Sequence, residues 1–190
     1  MKRFLGFALV LAWTTGCAFG NRSVTLDYAP GKASLEHTRH PDVRPKVVLV
    51  PLGDHRTQKQ AIGTVHNGYG MHTADAIPVN SVSDWVTAAL RIELQMAGFD
   101  VTTATTPGET TIYGDVLKVY CEGWTHYEAA VEFNVRVVRD GKEILSRNYA
   151  GQDESKMNWT AESTGYAVAL TAALATAAGN FAEDLQRLTP

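Results

Sequence analysis

A chain of 190 residues with 45% hydrophobic, 19% charged and 9% aromatic residues is long enough for one globular domain plus a short appendage, and too apolar to be disordered throughout. Its 17 basic and 20 acidic residues leave a formal charge of -3, without the basic excess that phosphate neutralisation demands, so nucleic acid is excluded as a partner. Two cysteines cannot build a disulfide scaffold.

Residues 1–16 open with Lys2 and Arg3 and continue into the apolar run Phe4 to Trp13. This is the pattern of a secretory signal peptide, about half the length that a bilayer-spanning helix requires. Thr14-Thr15-Gly16-Cys17 resembles a bacterial lipobox, with Thr14 standing where Leu is commoner. The resemblance implies that Cys17 is acylated and becomes the mature N-terminus, a membrane anchor in which each buried methylene contributes about 0.8 kcal/mol. Residue 18 is Ala, not Asp, which by likeness to lipoprotein sorting places the protein at the outer membrane, facing the periplasm. Removal of the leader takes Lys2 and Arg3 and no acid, leaving 15 bases against 20 acids, or -5. Such a body does not adhere to anionic lipid by charge, so attachment falls to the acyl chains. With Cys17 lipidated, Cys121 has no intramolecular partner and reads as a small buried apolar residue.

Residues 17–45 carry Pro30, Gly31, Pro41 and Pro45 and read as the lipidated N-terminus and a flexible tether, although Val24, Leu26 and Tyr28 alternate as an edge strand would. Residues 46–190 then form one domain. Lys46 to Leu52 is an apolar run suited to a strand buried on both faces and ended near Pro51. From Gly53 to Pro78 runs a polar connection of about 26 residues, far beyond the usual 2–6; Asn67-Gly68-Tyr69-Gly70 within it has hairpin-tip chemistry. Ser81 or Ser83 caps a helix that continues through Trp85, Val86, Ala89, Leu90, Ile92, Leu94 and Met96 to Gly98. Strands are expected at Phe99 to Thr103, at Thr110 to Glu122 with Tyr113, Leu117, Val119 and Cys121 on one face, and at Val131 to Val137, where Val131, Phe133, Val135 and Val137 alternate with polar residues. Asp140-Gly141 closes a hairpin onto Glu143 to Gly151. Last comes a helix from Trp159 to Leu188. Its uncharged stretch has the length of a membrane span, but Ala, Thr, Gly, Ser and Asn180 suit it better to packing on a sheet or on a second subunit. The expected order is β-α-β-β-β-β-α, an α+β fold or mixed α/β sandwich in which two helices cover one face of a mainly antiparallel sheet of about five strands.

This layout, with the lipobox-like string, Asp54-His55-Arg56-Thr57 after a strand, Leu94-Gln95-Met96-Ala97-Gly98-Phe99-Asp100-Val101 at a helix end, Arg147-Asn148-Tyr149 and the Ala-rich final helix, resembles the YajG family of bacterial lipoproteins over about residues 46–188. The resemblance implies an outer-membrane lipoprotein and a fold, with no activity attached. Similar layouts occur in auxiliary lipoproteins of envelope transporters and in lipoprotein activators of peptidoglycan synthases.

Catalytic motifs are not evident. His37, His40, His55, His66, His72 and His126 lack zinc-site spacing and a cysteine pair. No G-x-S-x-G elbow occurs, Asn67 to Gly70 lacks the Lys-Ser/Thr of a phosphate loop, and Asp115, Asp153 and Glu154 form no spaced acid–base pair. No cofactor is expected, and no enzyme. What remains is recognition: the 53–78 connection collects His55, Arg56, His66, Asn67, Tyr69 and His72, an amphipathic aromatic among hydrogen-bonding groups. Trp124, Tyr127 and Trp159 read as core or cap packing. The expected function is a binding, scaffold or assembly module for an envelope protein, with self-association through the final helix open to it. The alternatives are a module for a lipid or peptidoglycan fragment, or an auxiliary part of an envelope transporter.

Overall fold

The computed structural model describes residues 20–30, 44–104, 109–156 and 162–189. The leader, Cys17, His37, His40 and Trp159 lie outside them.

One strand organises the sheet. β7 (Thr110–Gly123) carries three short strands in succession along one edge: β2 (Lys46–Leu49), β3 (Gly53–Asp54) and β4 (Gly63–His66), all parallel to it. Its other edge pairs antiparallel with β8 (His126–Arg139), which pairs antiparallel with β9 (Lys142–Lys156). β6 (Asp100–Thr102) extends the sheet beyond β2, β5 (His72–Pro78) folds back on β4, and β1 (Arg22–Val24) adds parallel to β5.

Among the described residues the sheet has nine strands where about five were expected, in the order β-β-β-β-β-α-β-β-β-β-α. The additional strands, β1, β3, β4 and β5, fall in the segments read as tether and connection. They have two to seven residues; β3 and β4 are too short for a period-two pattern and pair with the long template of β7, while β5 and β1 add on through β4. The long ladders of β7, β8 and β9 make the sheet mostly antiparallel.

Helices α1 (Val82–Met96) and α2 (Glu162–Leu188) pack beside one another on one face. A continuous core joins Trp85, Val86, Leu90 and Leu94 to Tyr166, Leu170, Leu174 and Phe181 across the strands. The Ser81 hydroxyl caps α1 by accepting from the Asp84 amide at 3.2 Å, and Gly98 ends it at φ 92°, the left-handed conformation glycine adopts without strain. α2 has the length and composition to cross a membrane, yet its apolar stripe is spent on the sheet. Its approach requires glycine: a Cβ on Gly151 would sit 1.9 Å from the Ala173 carbonyl oxygen.

β8 follows its expected alternation, with Val131, Phe133, Val135 and Val137 at most 1% exposed. β7 does not keep one alternation. The register slips between Val116 and Lys118, so Leu117 is a bulge that reverses which parity faces the core. Ile112 and Val116 point inward before it, Val119 and Cys121 after it, and Tyr113, expected on their face, is 37% exposed on the opposite one.

Residues 20–30 belong to the fold. Val24 and Leu26 are buried, Asn80 exchanges two hydrogen bonds of 2.9 Å with the Leu26 backbone, and the Tyr28 hydroxyl donates to the buried carboxylate of Glu93. Burial, and then that carboxylate, push the Tyr28 phenol upward. The strand that forms is Arg22–Val24, overlapping the expected alternation only at Val24, and the expected tether is docked over this stretch.

Candidate recognition surfaces

The six candidate residues do not form one site. His55 and Arg56 follow β3, opposite Val116 of β7, whereas His66, Asn67, Tyr69 and His72 surround the β4–β5 tip beside Gly123. Seven positions of β7 separate the two places, about 23 Å at 3.3 Å per residue.

Arg56 is structural. It is 5% exposed, and its guanidinium donates to both Asp54 carboxylate oxygens at 3.0 and 2.9 Å and to the carbonyls of Lys59 and Ala61 at 3.1 and 3.3 Å. It closes the turn from β3 toward β4. The same guanidinium holds the Asp54 carboxyl below the usual carboxylate range. The amphipathic pattern of the segment carries no sign of this, because a buried Arg and an exposed one look alike in sequence. His55 is exposed, with Nδ1 3.7 Å from Asp115.

At the tip, the Asn67 side chain is consumed by the turn, accepting from the Tyr69 and Met71 amides at 3.0 and 3.1 Å. Gly70, at φ 78°, lies under Trp124 of the β7–β8 turn, where a Cβ would come within 3.3 Å of the indole. Tyr69 is 90% exposed, Met71 59% and Trp124 42%. Trp124 therefore belongs to the surface and not to the core, while Tyr127, 1% exposed, is core as expected. Met71 and Trp124 were missed in sequence; the one available signal was a Trp directly after a strand-ending Gly, outside the β8 alternation. His66 and His72 meet edge to face at 6.0 Å. His66 Nδ1 lies 3.5 Å from Glu122, and His72 Nε2 donates to Asp75 at 2.9 Å. His126 bonds Glu128 at 2.6 Å. Among the described residues no group of three His, Cys, Asp or Glu could hold a metal ion.

The second surface is the face of β7, β8 and β9 turned away from the helices. At one end a depression of about 700 Å³ is lined by Pro51, Tyr113, Asp115, Asn134, Arg136 and Asn148, and the Arg136 guanidinium lies 4.9 Å above the Tyr113 ring. At the other end Glu122, Glu128 and Glu154 stand in one cross-strand row, beside Tyr120, Lys118 and Gln152. Cys121 lies beneath, fully buried. Burial and the carboxylates of Asp153, Glu122 and Glu128 push its thiol up to about 12, which removes it as a nucleophile at neutral pH. These surfaces can stack, hydrogen-bond and pair charges.

No family model and no curated protein matches the chain. Among solved structures it is similar to protein XCC0632 of Xanthomonas campestris, of family DUF330, at 16% identity over 88% of this chain and 98% of that one, with a TM-score of 0.56. It is also similar to lipoprotein GNA1162 of Neisseria meningitidis, at 16% identity over 61% and 88% of the two chains and a TM-score of 0.38. A PelC dodecamer of Paraburkholderia phytofirmans matches at 12% identity over 75% and 93%, with a TM-score of 0.42. The Xanthomonas likeness shows a shared fold, which by itself assigns no activity; the other two are looser and add nothing to it.

Proposed function

We propose that this is a non-enzymatic, lipid-anchored module of the bacterial outer membrane, facing the periplasm, that docks an envelope protein on the open face of β7, β8 and β9. The observation that carries the reading is that face itself: strands of 14 and 15 residues keep one side buried under helices and present Tyr113, Arg136, Asn134 and Asn148 on the other. Tyr and Arg are the side chains that dominate binding energy at interfaces, and the surrounding amides suit a polar rim. The lipobox-like Thr14 to Cys17 supports the location.

Metabolic palmitate labelling tests the anchor: Cys17→Ser is expected to abolish incorporation. Affinity capture after in-cell crosslinking tests the face. Replacing Tyr113 by Ser together with Arg136 by Ala should remove the crosslinked envelope protein, and an unchanged partner would refute docking there.

A second reading, a small apolar ligand, rests on a groove of about 580 Å³ between residues 23–29 and α2, lined by Ala167, Val168, Ala172 and Ala175. Native mass spectrometry of protein purified from membranes would reveal the retained mass. The same strip is what α2 leaves for self-association, which light scattering over a concentration series measures.

A further inference from the structure

The exposed tip has not been used by that reading, and its position relative to the N-terminus gives it a specific neighbour. β1 runs parallel to β5, with Arg22 opposite Ala76 and Val24 opposite Pro78, so the chain followed backward from Arg22 heads for the β4–β5 tip. The Asn21 side chain already accepts from the Asp75 amide at 3.1 Å. Four positions separate Asn21 from Cys17, and four separate Asp75 from Met71. Four residues of chain reach at most about 13 Å at 3.3 Å per residue, so a lipid attached at Cys17 must enter the bilayer within that reach of Asn21, which is itself bonded to the strand leading into the tip where Tyr69 and Met71 are exposed.

We infer that the β4–β5 tip with Trp124 is a lipid-facing surface that seats the domain on the bilayer holding its acyl chains. This rests on the proposed acylation of Cys17. The residue types fit the place: Tyr and Trp partition to the membrane–water interface, where an apolar ring meets lipid and a polar edge stays wet, and Met71 supplies a flexible apolar side chain between them. Around the tip Glu122, Glu128 and Asp75 face His66, His126 and His72, and the contact is carried by apolar rings and Met71 rather than by charge. The acyl chains supply the affinity and the tip supplies the orientation. β7, β8 and β9 then rise from the membrane, and the Tyr113–Arg136 end of the open face is held tens of ångströms above it, 10 positions of β7 from Gly123 beside the tip, about 33 Å at 3.3 Å each.

The test uses full-length acylated protein reconstituted into vesicles of phosphatidylethanolamine and phosphatidylglycerol at a 3:1 ratio. An environment-sensitive fluorophore is placed at Tyr69→Cys or, as the distal control, at Asp140→Cys in the β8–β9 turn; buried Cys121 does not compete for label. Lipids carrying a nitroxide near the headgroup are expected to quench the probe at 69 at least fivefold more than the probe at 140. Adding Met71→Ser and Trp124→Ser should reduce that difference at least twofold while the protein still floats with the vesicles. Equal quenching at the two positions in floating protein would overturn the lipid-facing tip and leave the anchor standing. Protein that fails to float, like Cys17→Ser, would overturn the anchor and the tip together.

Discussion

Replacing Arg56 by Met separates a structural clip from a recognition residue. The wild-type guanidinium, 4% exposed in its side chain, pairs with a carboxylate 25% exposed and satisfies two carbonyls that face inward. Breaking a buried pair by removing one partner destabilises by about 3–5 kcal/mol; the partial exposure of Asp54 favours the lower end, so the expected loss is about 3 kcal/mol, a large share of the 5–15 kcal/mol of a typical domain. The effect must depend on pH. Asp54 titrates below its ordinary value of 3.8 because of Arg56, so its contribution is present above the ordinary carboxylate range and is lost as pH falls through the depressed value. Urea unfolding followed by the fluorescence of buried Trp85 should therefore give a difference of about 3 kcal/mol at pH 7 that narrows at pH 2.5. Partner capture at a temperature where the variant remains folded should be unaffected. A loss below about 0.5 kcal/mol, or one constant across pH, would refute the clip.

Tyr28→Phe leaves the Glu93 carboxylate, in a side chain 4% exposed, without its donor and should lower stability by about 1–3 kcal/mol in thermal melts. Gly151→Ala forces a methyl against the Ala173 carbonyl and should destabilise by about 1–3 kcal/mol, whereas Gly68→Ala, with nothing within 4 Å, should be neutral; denaturant titrations of both compare them directly. Cys121 should resist a thiol reagent at pH 8 in the native state and react fully in urea. Since its thiol is raised to about 12 from 9.0, folding favours the protonated form, and the contribution fully present below pH 9 declines as pH climbs toward 12; Cys121→Ala should flatten that decline in unfolding experiments across the range.

Where a segment buries one face by its own periodicity, the sequence was enough. The alternation of β8, the Ser81 and Gly98 limits of α1, the Asp140-Gly141 turn at φ 51° and 73° and the inward stripe of α2 all follow local rules. The extra strands do not, because β3 and β4 become strands only when β7 offers its edge. The bulge at Leu117 is equally invisible, since one additional residue changes no composition and yet reverses the face of Tyr113. The candidate set split for a related reason. His66, Asn67, Tyr69 and His72 are near in sequence and stay near across a hairpin, but Arg56 turned inward to serve the backbone, and Trp124 arrived at the tip from 53 residues beyond Met71.

The parallel run of β1 beside β5 also has a mechanical meaning. Under the proposed acylation of Cys17, a pull on the body along its strands enters at Gly20 and loads the β1–β5 hydrogen bonds together in shear, sideways to their axes. A strand attached in the opposite sense would be peeled off one bond at a time. A ladder only three residues long, reinforced by the paired bonds of Asn80 to Leu26, would thereby work as a strain-relief clamp between the proposed anchor and the rest of the domain.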